Sequence, residues 1–201
     1  MTDIHLHRDD EASKIGMWLF IFTELLLFGG LFIAYSIYRF RNPDAFHLAA
    51  EELNRSIGLI NTIVLLISSA SIAMSLTAIQ TGKIGRSKLL ITLTIILSII
   101  FLINKYFEWG VKFHHHIYPG SEYLMSLSQG EILFFGLYFA MTGLHAVHII
   151  VGLTLMLIVL GRIFSGKITY DNNVLLENTG LYWHLVDIIW IFLFPLFYLI
   201  T

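Results

Sequence analysis

There is no cysteine among the 201 residues. That excludes disulfides, thiolate metal sites and a cysteine nucleophile. Charge is also scarce: 13% of the residues are Asp, Glu, Lys or Arg, where a soluble domain carries about 25%. A formal net charge of −2 offers no basic surface to a nucleic acid. No internal repeat, low-complexity tract or linker divides the chain. The N-terminal stretch mixes His5, His7 and Arg8 with Asp3, Asp9, Asp10 and Glu11. No small-residue cleavage site closes the first apolar run, so it reads as a retained span and not as a signal peptide.

What remains is apolar. Hydrophobic residues make up 57% of the chain and the mean hydropathy is +0.77. Windows of about 20 apolar residues are long enough to cross a bilayer. Five occur, at 15–38, 57–80, 89–109, 132–161 and 180–200, with 39–54 and 111–129 the longest loops. The expected fold is therefore all-α: a polytopic membrane protein, one bundle of five transmembrane helices formed by residues 1–201. Arg8, Lys14, Lys83, Arg86, Lys88, Arg162 and Lys167 fall on the N-terminal side, and Arg39, Arg41, Arg55 and Lys112 on the other. That bias places the N-terminus in the cytoplasm and the C-terminus outside.

Against this background the polar residues inside the spans stand out. The last span contains YWHLVDIIWIFLFPLF, with His184 and Asp187 three residues apart and so on one face of a helix. Trp183, Asp187, Trp190, Phe194 and Phe197 form an aromatic stripe around the carboxylate. An acid at this depth costs roughly 2.5–3.5 kcal/mol on insertion scales, so it has to face protein or water. Glu24 lies about ten residues beyond Lys14, or about 15 Å along a helix, close to mid-membrane. Gly30 and Ala34 make a small-xxx-small pair that lets another helix approach. In the second span Ser68, Ser69, Ala70, Ser71, Ala73 and Ser75 read as packing surface.

The third span ends in NKYFEWG, where Lys105 and Glu108 are expected to pair or snorkel at the outer interface beside Trp109. His114, His115 and His116 follow; three adjacent histidines cannot all turn towards one metal from a helix, and a wet outer loop is expected. Ser128 and Glu131 form a capping box that starts the fourth helix. There Gly136, Ala140 and Gly143 share one face, and Tyr138, Met141, His145, His148 and Gly152 the opposite one, so both faces are expected to meet protein.

Three chemistries could use these groups. A bis-histidine haem needs ligands from two facing helices, whereas His145 and His148 lie one turn apart and His184 nearer the inner interface. A histidine-cluster di-iron site needs several clusters at one level, and His114–His116 lie far from the mid-membrane pair. A proton-handling or lipid-holding subunit needs no metal, and Glu24, His145, His148, His184 and Asp187 suit it, because ionisable groups inside a membrane mark such sites.

Four stretches carry a resemblance: FTELLLFGGLFIAY around Glu24, LINTIVLLISS, YFAMTGLHAVHIIVG around His145 and His148, and YWHLVDIIWIFLF around His184 and Asp187. In this order they resemble subunit III of the haem–copper oxidases. The resemblance implies a chain that has no catalytic centre and binds neither haem nor copper, beside a catalytic subunit I that holds both. It implies phospholipids in a cleft, support of proton uptake, further oxidase subunits as partners and cytochrome c as donor to the complex. The setting implied is the bacterial cytoplasmic membrane. Glu24 falls at the family's carbodiimide-reactive glutamate. A quinol oxidase or nitric oxide reductase paralogue would read almost identically. An independent transporter or proton channel is disfavoured by the absence of inverted repeats and broken helices. The chain resembles the five-helix form, without the first two helices of the longer members. Lys105 stands near the place where many members have glutamine.

Overall fold

The computed structural model describes residues 10–200. Seven helices follow one another: α1 (Asp10–Arg41), α2 (Pro43–Glu51), α3 (Arg55–Gln80), α4 (Ile84–His114), α5 (Glu122–Met125), α6 (Gln129–Phe164) and α7 (Val174–Tyr198). Among the described residues there is no strand beyond one isolated bridge, Thr169 to Asn172. Five helices, α1, α3, α4, α6 and α7, are long and apolar enough to cross a membrane. This is the expected all-α, five-span architecture. Arg8, one of the charges counted for orientation, lies outside the described residues.

The helices run beyond the apolar windows. α1 has 32 residues, about 48 Å at the helical rise, against a hydrocarbon core of about 30 Å. Its ends therefore stand in the polar layers, where Lys14 pairs with Glu177 of α7 at 2.8 Å. Polar caps set several boundaries. The Asn54 side chain accepts from the Ser56 and Ile57 amides at the start of α3. The Ser128 and Glu131 capping box is present in both directions and starts α6 as expected.

The loop after α1 contains an unexpected helix. In α2 and the turn after it, Phe46, Ala49, Ala50 and Leu53 recur at i, i+3, i+4 and i+7, and all four are buried. This face lies on α6, α1 and α7 and closes one end of the bundle. α4 continues five residues past the expected boundary to His114. Lys112 then reaches back to the carbonyl of Glu52. His114, His115 and His116 are all exposed.

At the centre stands α7, which packs on α3, α6 and α1, while α4 lies against α3 and α6. Helices in a bilayer are not driven together by the hydrophobic effect, so close packing and interhelical hydrogen bonds hold them. Two close approaches are made through glycine. A Cβ on Gly152 would come within 2.6 Å of the Trp183 ring, and one on Gly58 within 2.8 Å of Phe194. The indoles of Trp183 and Trp190, fully buried, donate to Ser68 and Thr62 of α3 at 3.0 Å each.

The expected small-residue faces behave differently. A Cβ on Gly30 or Gly136 meets open space, Ala34 is half-buried, Ala140 is exposed, and Gly143 touches only the Trp109 ring at 3.4 Å. Only the Tyr138, Met141, His145 and Gly152 face of α6 is interior to this chain, so the expectation of two covered faces fails within it.

Candidate functional site

The ionisable groups inside the spans form three separate clusters. The first joins α1 to α6. His148 Nε2 lies 3.0 Å from Glu24 Oε2, and His148 Nδ1 lies 2.8 Å from the Leu144 carbonyl oxygen. A carbonyl oxygen only accepts, so Nδ1 carries hydrogen. The Nε2 to Oε2 contact then needs one further proton, shared along that axis. Whichever partner holds it, the pair as a whole is neutral, which limits the penalty of placing it in an apolar medium. Phe28 meets the imidazole edge-on with centroids 5.5 Å apart, Tyr182 stacks on it at 6.4 Å, and the Tyr182 hydroxyl donates to the His148 carbonyl at 3.1 Å. The partner of His148 is thus Glu24 on α1.

The second cluster lies at the seam of α3 and α7. Ser69 Oγ is 2.7 Å from His184 Nδ1. Asp187 lies beside Ser69, yet both its carboxylate oxygens are buried without a hydrogen-bond partner among the described residues. His184 is half-buried, and its Nε2 likewise has no partner among them.

A third cluster, at α4, α6 and α7, contains groups expected at the surface. Lys105 and Glu108 are each only 4% exposed. Lys105 Nζ donates to Glu108 Oε2 at 3.0 Å, to Tyr138 Oη at 3.2 Å and to Tyr198 Oη at 3.0 Å. Tyr138 and Tyr198 in turn both donate to Glu108 Oε1. The ammonium uses its three hydrogens and the carboxylate accepts on both oxygens, so the cluster is closed and neutral. One step deeper, His145 is fully buried between Phe101 and Trp190, at centroid distances of 5.6 and 5.2 Å, with both ring nitrogens unpaired among the described residues. Lys105 and Glu108 do not snorkel: they turn inward to Tyr138 of α6 and Tyr198 of α7, and α4 runs on past them to His114.

These placements answer the question of ligands. His148 is committed to Glu24, His184 to Ser69, and His145 is held between aromatic rings, so the three do not converge. Among the described residues no group of three or more His, Cys, Asp or Glu side chains could hold a metal ion.

The family model described as cytochrome c oxidase subunit III matches residues 3–201. The chain belongs to the cytochrome c oxidase subunit III family. Three relatives show its range. A cytochrome bo(3) ubiquinol oxidase subunit 3 from Pseudomonas aeruginosa is 26% identical, over 97% of this chain and 88% of its own length. A cytochrome c oxidase subunit 3 from Schizophyllum commune is 32% identical, over 96% of this chain and 70% of its own. A protein named heme-copper oxidase subunit I+III from Aeropyrum pernix is 32% identical over 94% of this chain, which covers 23% of that longer protein. Family membership and five spanning helices make this a multi-pass membrane subunit of a respiratory oxidase.

Proposed function

We propose that the chain is the accessory third subunit of a terminal haem–copper oxidase in the bacterial cytoplasmic membrane, folded as a single domain from residue 1 to 201. It sits beside subunit I, which carries haem and copper, in a complex that takes electrons from cytochrome c, reduces oxygen to water and pumps protons. Its part is to support assembly, to hold phospholipid and to sustain proton uptake, and it has no catalytic centre of its own. One observation carries this reading: Glu24 is bound to His148 of a neighbouring helix, 3.0 Å away. That is the arrangement of a helix clasp.

The joined chain from Aeropyrum pernix supports subunit I as the neighbour, since its name combines the two subunits. Lipid holding is supported by a groove of about 600 Å³ along α1, lined by Phe32, Ile33, Ser36, Ile37, Phe40 and Arg41. Its apolar length suits an acyl chain, and Arg41 stands where a phosphate would lie. A quinol in place of cytochrome c is the second reading, favoured by the relative from Pseudomonas aeruginosa.

Purification from the native membrane tests the whole. The chain elutes with haem-bearing subunits, and the complex oxidises reduced cytochrome c. Oxidation of ubiquinol alone replaces the donor by the second reading, and a haem-free homo-oligomer overturns the assignment in favour of a transporter or channel.

The orientation is proposed with the N-terminus in the cytoplasm. Lys14 lies against Glu177, and Lys88 lies over the Phe164 ring at 4.2 Å. The starts of α1, α4 and α7 therefore share one end with the end of α6, and most of the counted Lys and Arg gather there. Because the chain has no cysteine, single cysteines at Lys83 and His115 report sidedness cleanly. A membrane-impermeant maleimide added to intact cells modifies His115→Cys and not Lys83→Cys. The reverse pattern inverts the orientation.

A further inference from the structure

α1 and α3 both pack on α7 but do not touch each other. The positions of α7 facing α3, Trp183 and Trp190, and those facing α1, Phe192 and Leu196, lie on either side of a strip left uncovered. At about 100° per residue this strip is Leu181, His184, Ile188, Ile191 and Pro195. Ile188 and Ile191 are 47% and 43% exposed although α7 is the most buried of the spans. The result is a groove that runs along the bundle, floored by α7 and walled by α1 and α3.

This groove is not purely apolar. His184 stands on its floor with Nε2 unpartnered among the described residues, and the Asp187 carboxylate, 3% exposed and also unpartnered, lies where the floor meets the α3 wall. Asp187 is thirteen residues into α7, about 20 Å along it and so at mid-span. At that depth neither water nor an acyl chain satisfies a carboxyl group or an imidazole. Small side chains on the α3 wall, Ser69 and the exposed Ala73 one turn on, admit another backbone closely.

Resting on the partnership with subunit I proposed above, we infer that this groove seats a transmembrane helix of subunit I, which offers a polar partner to His184 Nε2. The relative whose name joins subunits I and III points to that occupant. A lipid acyl chain would fill the same groove and leave that nitrogen unpaired. The strip thus presents a partly exposed imidazole, unpaired at Nε2 among the described residues, to whatever covers it, while the Asp187 carboxylate stays buried behind it.

The test uses the intact oxidase purified from its native membrane. A photo-cross-linking amino acid is placed at Ile188 or Ile191, and as a control at Leu157, which is 53% exposed on α6. Irradiation joins the groove positions to subunit I, and this product is lost at Leu157. In parallel, His184→Leu loses subunit I during detergent washing, whereas His184→Gln, which still hydrogen-bonds, retains it. Lipid adducts alone from Ile188 and Ile191, with subunit I present in the preparation, overturn the groove as the docking face and leave the partnership standing. So does a cross-link to subunit I from Leu157 in place of the groove. A preparation of the parent chain without subunit I overturns the partnership, and this inference with it.

Discussion

Lys105→Met is expected to destabilise this subunit by about 3–5 kcal/mol, the usual effect of removing one partner from a buried ion pair. Methionine matches the length of lysine and stays apolar, so the change isolates charge and hydrogen bonding from packing. Glu108 would remain 4% exposed, hydrogen-bonded by the Tyr138 and Tyr198 hydroxyls and left with Lys112, one step along α4, as the cation acting on its charge. The double variant Lys105→Met/Glu108→Leu is expected to lose much less than the sum of the two single changes, because no lone charge is left behind. That non-additivity is what a double-mutant cycle reads. Retention of the subunit in the oxidase during a temperature ramp measures all three variants. A single variant as durable as the parent would mean that the lysine reaches water and that the closed cluster does not hold α4, α6 and α7 together.

The same cluster shows where the sequence was informative and where it was not. Apolar windows located all five spans, since length and hydropathy are local properties of the chain. They placed the ends too far inward, because helical hydrogen bonding continues into the polar layers as long as a cap can be found. Asp10 and Glu11 in the first turn of α1 and the run to His114 in α4 belong to such extensions. The i, i+3, i+4, i+7 pattern of Phe46, Ala49, Ala50 and Leu53 was legible but short, and it lay in a loop rich enough in charge to pass for one. Lys105 and Glu108 were expected at the surface because the tyrosines that bury them, Tyr138 and Tyr198, stand on other helices.

Which polar groups meet is a tertiary property, and spacing alone misassigned it. His145 and His148 are three apart on one helix, yet His148 turns to α1 while His145 turns to Phe101 and Trp190. Three residues set the two side chains only about 60° apart around the helix axis, but they lie a turn apart along it and border different neighbours. Likewise His184 and Asp187 share one face of α7, yet His184 meets Ser69 and the Asp187 carboxylate lies beside it without a partner among the described residues. Tyr138 and Tyr198 were not singled out for chemistry at all. The available signal was a tyrosine in each of two apolar spans, since a buried phenol needs a hydrogen-bond partner.

The last expected result concerns the clasp between α1 and α6, and it is an asymmetry between two substitutions of one pair. His148→Leu leaves the Glu24 carboxyl facing an apolar surface, a situation costing roughly 2.5–3.5 kcal/mol for an acid at the helix centre. The α1 span buries only 11% of its most apolar window, and its other polar ties, from Lys14, Ser13 and Tyr35 to α7, lie towards its two ends. The subunit should therefore be lost from the purified oxidase. Glu24→Gln keeps the shape and can donate an amide hydrogen to His148 Nε2, so it should assemble like the parent. If the carboxyl at position 24 is the group that hydrophobic carbodiimides modify, as the family resemblance implies, labelling of the Glu24→Gln oxidase should vanish. Oxygen turnover and proton pumping should nevertheless match the parent from neutral to alkaline pH. The geometry argues for this outcome because, among the described residues, Glu24 has a single hydrogen-bond partner, His148, and the far side of that imidazole ends on the backbone carbonyl of Leu144. A carbonyl oxygen accepts a hydrogen bond but passes no proton on, so among the described residues the contact offers no onward route from His148. Pumping lost with oxygen reduction intact in an assembled Glu24→Gln complex would place Glu24 on a proton path and remove the clasp as its role.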